Sequence, residues 1–416
     1  MRNASVWQAM LGLAHTVIEG VELDDQSGAL VVSVRPRKGK RRCGRCGQRS
    51  PLFDRGEGRR RWRSLDLGEM RVYLEAAAPR VSCSTHGPTV AQVPWARHDA
   101  GHTRAFDDTV AWLAVQCSKT AITELMRVAW RTVGSIITRV SADIDAKTDR
   151  LGGLRRIGIN EISYKRGYRY LTVVVDHDSG RLVWAAAGRD DATLHRFFDL
   201  LGDQRTAEIT HVSADAADWI RRVVTRRCPH AELCADPFHV VAWATEALDQ
   251  VRRQAWNAAS GRRRAGEAVG TARAISRARY ALWKNPDNLT TRQREQIAWI
   301  AKCDPRLHEA YLLKEGLRYV LHQRGQPAKD ALEGWLGWAL ESNIEPFVKL
   351  AAKIQRNRAA IEATLEHGLS NALIESTNTK IRLLTRIAFG FHSANALIAL
   401  AMLALGGTRP QLPGRN

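Results

Sequence analysis

The sequence predicts a multidomain α/β chain, and three observations predict it. Two spaced pairs of cysteine and histidine ligands open the chain. Apolar residues then recur at helical spacing, and near residue 156 the period shortens to two before becoming helical again for most of the remainder. With 416 residues and 44% hydrophobic content, the chain is long enough for two or three domains with substantial cores. A formal net charge of +20, spread over folded-looking sequence, points to a polyanionic partner, with nucleic acid ahead of a membrane surface.

The N-terminus carries no signal-peptide pattern, and no apolar run reaches the roughly 18 residues that span a bilayer. Membrane insertion and secretion are therefore not expected, and the expected location is the cytoplasm, at the nucleoid. Seven cysteines, several in short-spaced pairs, fit a reducing compartment with a metal site better than a disulfide framework.

Residues 1–100 read as a zinc-ribbon domain. Trp7 to Ile18 has helical spacing, and Ala29 to Val34 reads as a strand feeding the basic run Arg35 to Arg42. Cys43-Gly-Arg-Cys46-Gly follows, and a second half-site, Cys83-Ser-Thr-His86-Gly, comes after a strand-like segment at Met70 to Glu75. Cys43, Cys46, Cys83 and His86 supply four soft or borderline ligands, which makes a closed structural Zn²⁺ site rather than a catalytic one with an open position. The bland alternative, cysteines packed as small hydrophobes, does not account for two spaced pairs each followed by glycine. Arg41, Arg42, Arg45 and Arg61 belong to a dense basic set around the knuckle, suited to phosphate contacts or to a solvated face.

Residues 101–155 read as a helix-turn-helix domain and linker. Phe106 to Gln116 and Lys119 to Trp130 form two helices, and Arg131 to Val140 forms the recognition helix, with Arg131, Thr132, Ser135 and Arg139 available to DNA. Ser141 to Arg156, containing Gly152-Gly153, reads as the linker.

From residue 156 to 240 the pattern is extended. Arg156 to Ile162, Tyr170 to Asp176 and Arg181 to Ala187 make an antiparallel meander, with a turn at His177 to Gly180. Asp191 to Leu201 is an amphipathic helix, Glu208 to Asp215 a fourth strand, Trp219 to Arg227 a helix, and Ala231 to Asp236 a fifth strand. This is the element order of a ribonuclease H-like core. Cys228, His230, Cys234 and His239 do not read as a second metal cluster, because Cys234 lies in an apolar strand.

Residues 241–369 have helical spacing throughout and read as an all-helical insertion, in which Arg262, Arg263 and Arg264 contribute to a basic surface. Residues 370–405, Ser370 to Leu405, return as one helical stretch carrying Glu375, the last helix of the core. Residues 406–416 read as a flexible tail.

Taken together, Gly158-Ile-Asn-Glu161 with Tyr164-Lys-Arg-Gly167, Val212 to Asp215, Asp236 to Val241, and Ser370-Asn-Ala-Leu-Ile-Glu375 with Asn378 and Lys380 resemble the DDE transposases of bacterial insertion sequences, most closely the ISL-three family. The resemblance runs from the Cys43 knuckle to about Leu405. It implies an enzyme that binds terminal inverted repeats and target DNA, works as a homodimer on paired ends, and cleaves and joins strands with Mg²⁺ or Mn²⁺. Asp215 and Glu375 match the second and third catalytic acids and the metal ligands. Asn160 stands where the family has an aspartate, in a Gly-Ile-Asp-Glu pattern.

A pair of Mg²⁺ ions about 4 Å apart needs carboxylates to hold it. An amide at position 160 keeps the shape and removes a charge, so the expectation is a folded but catalytically impaired enzyme. Glu161 does not replace the missing acid, because strand alternation turns it to the opposite face. Two other readings remain open at this point: a non-catalytic DNA-binding protein, such as a repressor of related elements, and a nuclease without strand transfer.

Overall fold

The computed structural model describes residues 3–37, 39, 41–214, 217–264, 271–369, 371–388, 390–391 and 393–415, with the backbone alone for residues 3, 4 and 262–264. They form two compact units, Met1–Arg150 with Lys380–Asn416, and Leu151–Thr379.

The first unit opens with α1 (Asn3–Met10) and a hairpin of β1 (Thr16–Asp24) and β2 (Ala29–Pro36). The helix expected over Trp7 to Ile18 therefore ends early. Gly12 and His15 take left-handed backbone conformations, and the β-branched run Thr16-Val-Ile begins a strand. Then come β3 (Leu52–Asp54), β4 (Arg59–Arg63), β5 (Val72–Ala77), β6 (Arg80–Cys83) and β7 (Gly87–Val90). They build a four-stranded sheet in the order β1-β2-β5-β4 and a three-stranded sheet β3-β6-β7. Val32, Val34, Val72 and Leu74 fill the core of the larger sheet beside Trp62 and Trp95, whose rings meet edge to face at 5.6 Å.

Three helices follow: α2 (Arg104–Gln116), α3 (Lys119–Met126) and α4 (Trp130–Asp145). Thr103 and Ser118 cap the first two by accepting from Phe106 N and Ala121 N, and Arg127 in the left-handed region ends α3. The third helix runs five residues further than Val140, into the expected linker, because Val140 and Ser141 still lie on its buried face. Arg97 ties the bundle from below, pairing with Asp108 at 2.6 Å and Asp143 at 3.0 Å.

The second unit holds a five-stranded sheet. Its strands are β8 (Arg156–Lys165), β9 (Arg169–Asp176) and β10 (Leu182–Ala187), then, after α5 (Asp191–Leu201) and α6 (Asp203–Thr206), β11 (His211–Ala214), and, after α7 (Asp218–Arg227), β12 (Glu232–Ala235). The order is β10-β9-β8-β11-β12, with the first three antiparallel and the last two parallel to β8. The fourth strand begins at His211 rather than Glu208, because Glu208 and Ile209 still close the α6 turn with 3₁₀-type bonds to Arg205 O and Thr206 O.

Ile157, Ile159, Val212 and Ala214 face a core shared with Phe197 of α5 and Val223 of α7. By alternation, Gly158, Asn160 and Ser213 lie on the other face. Among the described residues, only helices follow β12, beginning with α8 (Pro237–Arg264), α9 (Thr271–Arg277), α10 (Arg279–Trp283), α11 (Thr291–Cys303), α12 (Pro305–His322), α13 (Gly325–Glu341), α14 (Glu345–Arg356) and α15 (Arg358–His367). They enclose their own core around Leu248, Leu317, Leu332 and Phe347.

The stretch expected as one C-terminal helix is two: α16 (Ala372–Ile387) and α17 (Ala394–Leu405). Gly390 at φ +96° breaks the first, and Ser393 caps the second by accepting from Asn395 N. Seven of the twelve residues of α17 are buried, and it packs against α4 and α2 within the first unit. Beyond it Arg150 Nη1 donates to Gly406 O at 2.6 Å.

Candidate functional site

Four ligands converge where the three-stranded sheet meets the knuckle. Cys43 bridges to Ala91, Cys83 ends β6, and His86 sits in the turn to β7. The sulfurs of Cys46 and Cys83 are 3.7 Å apart, and His86 Nδ1 lies 3.8 Å from Cys43 Sγ and 3.7 Å from Cys83 Sγ. A tetrahedral Zn²⁺ with bonds of about 2.3 Å to sulfur and 2.0 Å to nitrogen separates its ligands by roughly 3.5–3.8 Å. The Cys₃His set therefore already has the spacing of a structural zinc site, and all four residues group together.

Backbone N–H groups of His86 and Thr85 pull the Cys83 thiol down to about 6, toward the thiolate that a metal requires. Gly44 is needed for space: a Cβ there would lie 2.6 Å from both His98 Nδ1 and Val90 O.

At the sheet, the geometry turns on Gly158. A Cβ at this position would come within 2.4 Å of Ile374 Cδ1 and 2.9 Å of His177 Nε2, so only glycine lets α16 lie this close to β8. Glu375 follows Ile374 in the first turn of α16, exposed, with its N–H donating to Asn371 O at 2.8 Å. Asn160, two residues beyond Gly158, shares that face of the sheet and is half-buried. Its Oδ1 accepts from the N–H of Glu161 at 2.6 Å.

Glu161 points to the other face. There its carboxylate accepts from Trp219 Nε1 at 2.6 Å and pairs with Arg189. Ala214 is the last described residue of β11, paired with Ile159 and Ala235; Asp215 lies outside the described residues. Asp236, which directly follows β12, is buried and holds His239 Nδ1 at 2.7 Å. Asn371 and Asn378 are buried on α16 and its approach, and among the described residues both Asn371 side-chain atoms and Asn378 Oδ1 have no hydrogen-bond partner.

The basic residues divide by what they touch. Arg41, Arg42 and Arg45 are exposed around the knuckle, with Arg42 Nη1 donating to Gly47 O at 2.8 Å and Arg45 Nε to His98 Nε2 at 3.2 Å. Arg61 is committed within the sheet, to Asp24 at 3.0 Å and Glu75 at 2.8 Å. On α4, Arg131 and Ser135 are exposed and Thr132 partly so, opposite buried Val133, Ile136 and Ile137. Arg139 turns inward to both oxygens of Asp107, at 3.2 and 3.0 Å. Burial pushes the Asp107 carboxyl up to about 6 against the pull of Arg139 and Arg97, so Arg139 serves the packing of α4 on α2.

The side chains of Arg262, Arg263 and Arg264 lie outside the described residues. A cationic depression of about 560 Å³, lined by Arg189, Arg221, Lys353, Arg356 and Trp243, was not foreseen. These five residues come from four elements or loops, so no run in the sequence signals it. Cys228 and Cys234 are buried, and burial raises their thiols to about 11 and about 12.

Comparison with known proteins adds three family matches. Residues 157–401 match a transposase family model, residues 91–141 the helix-turn-helix domain of transposase family ISL3, and residues 39–86 the zinc finger of the transposases of IS204, IS1001, IS1096 and IS1165. Two Mycobacterium tuberculosis strains carry a transposase for insertion sequence element IS1557 that is 63% identical, covering 100% of this chain and 98% of the relative. The transposase for IS1001 of Bordetella parapertussis is 26% identical over 94% of this chain and 96% of its own length. Among the described residues, no helix is long and apolar enough to cross a membrane.

Proposed function

This chain belongs to the ISL3 family of insertion-sequence transposases, with a zinc ribbon, a helix-turn-helix and a DDE transposase domain in that order, and on that premise we propose that it binds its element's terminal inverted repeats better than it cuts them. The catalytic core is read as ribonuclease H-like, with residues 241–369 as a helical insertion. Three antiparallel strands followed by two parallel ones support that reading. The observation that supports the proposal is the close approach of Ile374, the residue before Glu375, to Gly158, two residues before Asn160 on β8.

Asp215 and Glu375 are the residues that would hold Mg²⁺ or Mn²⁺, which when bound would act as a Lewis acid on the attacking and leaving oxygens. The third member does not fit such a pair. Asn160 is a neutral amide whose Oδ1 already accepts an N–H, and the adjacent carboxylate of Glu161 is engaged on the other face by Arg189 and Trp219. What its own residues offer is binding: Arg131, Thr132 and Ser135 along α4, Arg41, Arg42 and Arg45 around the knuckle, and the Arg189–Lys353 depression for phosphates. A homodimer on paired ends follows from the family resemblance.

Asn160 also favours a second reading, a non-catalytic DNA-binding protein acting on related elements. Gel-shift titration with inverted-repeat and scrambled duplexes, followed by product analysis with Mn²⁺, separates the readings. The proposal expects preferential binding of the repeat, with cleavage and joining emerging once residue 160 is an aspartate. Cleavage without joined products would favour a nuclease, and equal binding of both duplexes would defeat the repeat-recognition claim.

A further inference from the structure

Three groups at the opposite edge of the five-stranded sheet make a constellation that the transposase reading does not use. His211 opens β11 and Glu232 opens β12, and the two are direct register partners in that parallel pair. His367 ends α15, and its ring meets that of His211 edge to face, with centroids 4.2 Å apart. One ligand atom from each of the three lies within 4.8 Å of the others, and His367 Nε2 is 2.8 Å from Glu232 Oε2.

The tautomer of His211 follows from its neighbours. Thr210 Oγ1 donates its proton to Arg155 O at 3.2 Å, so at 2.8 Å it accepts from His211 Nδ1. That leaves His211 Nε2 as a bare lone pair, buried and, among the described residues, without a hydrogen-bond partner. A ring nitrogen fixed by an oxygen partner, with the other nitrogen free, is how metal-binding histidines are oriented.

We propose that His211, Glu232 and His367 form a second metal site, for a divalent transition-metal ion of the Zn²⁺ class. Two imidazoles and one carboxylate select such an ion over Mg²⁺, which prefers an all-oxygen shell. The side chains of His367 and Glu232 are 32% and 57% exposed, which gives the ion a way in. The site is separate from the edge proposed for catalysis. Arg156, the β8 partner of His211, is four residues from Asn160, about 13 Å at roughly 3.3 Å per residue.

Its effect is positional. It fastens the end of the helical excursion to the sheet eight residues before Glu375, so the chain re-enters the core from a fixed point. The contact between His367 and Glu232 by itself is a partly exposed pair of small worth, whereas a shared ion holds both elements.

The test is metal counting on the full-length chain after equilibrium dialysis against Zn²⁺, with Co²⁺ spectra to tell thiolate from nitrogen–oxygen ligation. The parent should bind two equivalents: one with strong thiolate-to-cobalt charge transfer from the ribbon, and one with weak visible bands only. His367→Gln and Glu232→Gln should each lose the second and keep the first. One equivalent in the parent, two in both variants, or loss of the weak-band equivalent in excess Mg²⁺ would overturn the proposal. Circular dichroism checks each variant's helix content, and because His367 is at an exposed helix end, its variant is the one expected to keep the parent spectrum.

Discussion

The ribbon and the sheet edge build their sites in opposite ways. In the ribbon, four ligands from two short motifs sit on one small sheet, and sulfur and nitrogen atoms 3.7–3.8 Å apart are already at the separation an ion needs. At the sheet edge, Asn160 and Glu375 come from positions more than 200 residues apart in the sequence, and what brings their elements together is the absence of a side chain at Gly158. The first site depends on its metal for cohesion. The second depends on packing for its shape, which the proposed loss of a charge at residue 160 would leave in place.

The largest expected effect breaks the ribbon. Cys43→Ser should abolish stoichiometric zinc and unfold the three-stranded sheet around it, because structural zinc contributes about 10 kcal/mol or more to such domains. Zinc content together with limited proteolysis reads this out, and a variant that retains a full equivalent would rule out the Cys₃His site.

Next comes the packing at the edge. Gly158→Val would drive its side chain into Ile374 and should cost about 1–3 kcal/mol by chemical denaturation, with loss of any DNA cleavage measured in an Asn160→Asp background. Unchanged stability would show that α16 does not depend on this close approach. A smaller effect is expected for Glu161→Gln, which weakens the pairing with Arg189 and should cost about 1 kcal/mol. In the Asn160→Asp background it should leave cleavage within a few-fold. Abolished cleavage would instead put Glu161 in the metal site.

The elements themselves were largely legible, because they depend on local pattern. Asp191–Leu201 and the β8–β9–β10 meander follow from periodicity and turn residues, and the Cys and His motifs state their chemistry by spacing. What was not legible depends on partners distant in the chain. Arg61 faces Glu75 only because β4 and β5 pair in that register, and Arg139 turns to Asp107 only because α4 crosses α2. Neither guanidinium could be told from a DNA-contacting one by composition.

The stretch Ser370 to Leu405 reads as one helix because its apolar spacing persists across Gly390. The backbone breaks there, and the strongly apolar second half has its own partners in α2 and α4. His211, Glu232 and His367 give no sequence signal at all, since the third is 135 residues from the second.

The central claim is that the edge formed by β8 and α16 is intact except for the missing charge at residue 160. The most direct measurement is end cleavage by the unaltered chain and by Asn160→Asp, compared at equal occupancy of inverted-repeat DNA in Mn²⁺. The account predicts similar DNA affinity and at least about 100-fold more cleavage by the aspartate variant, equivalent to about 2.7 kcal/mol of barrier. Equal cleavage by the two chains would contradict it, and so would an aspartate variant that binds the repeat and remains inactive.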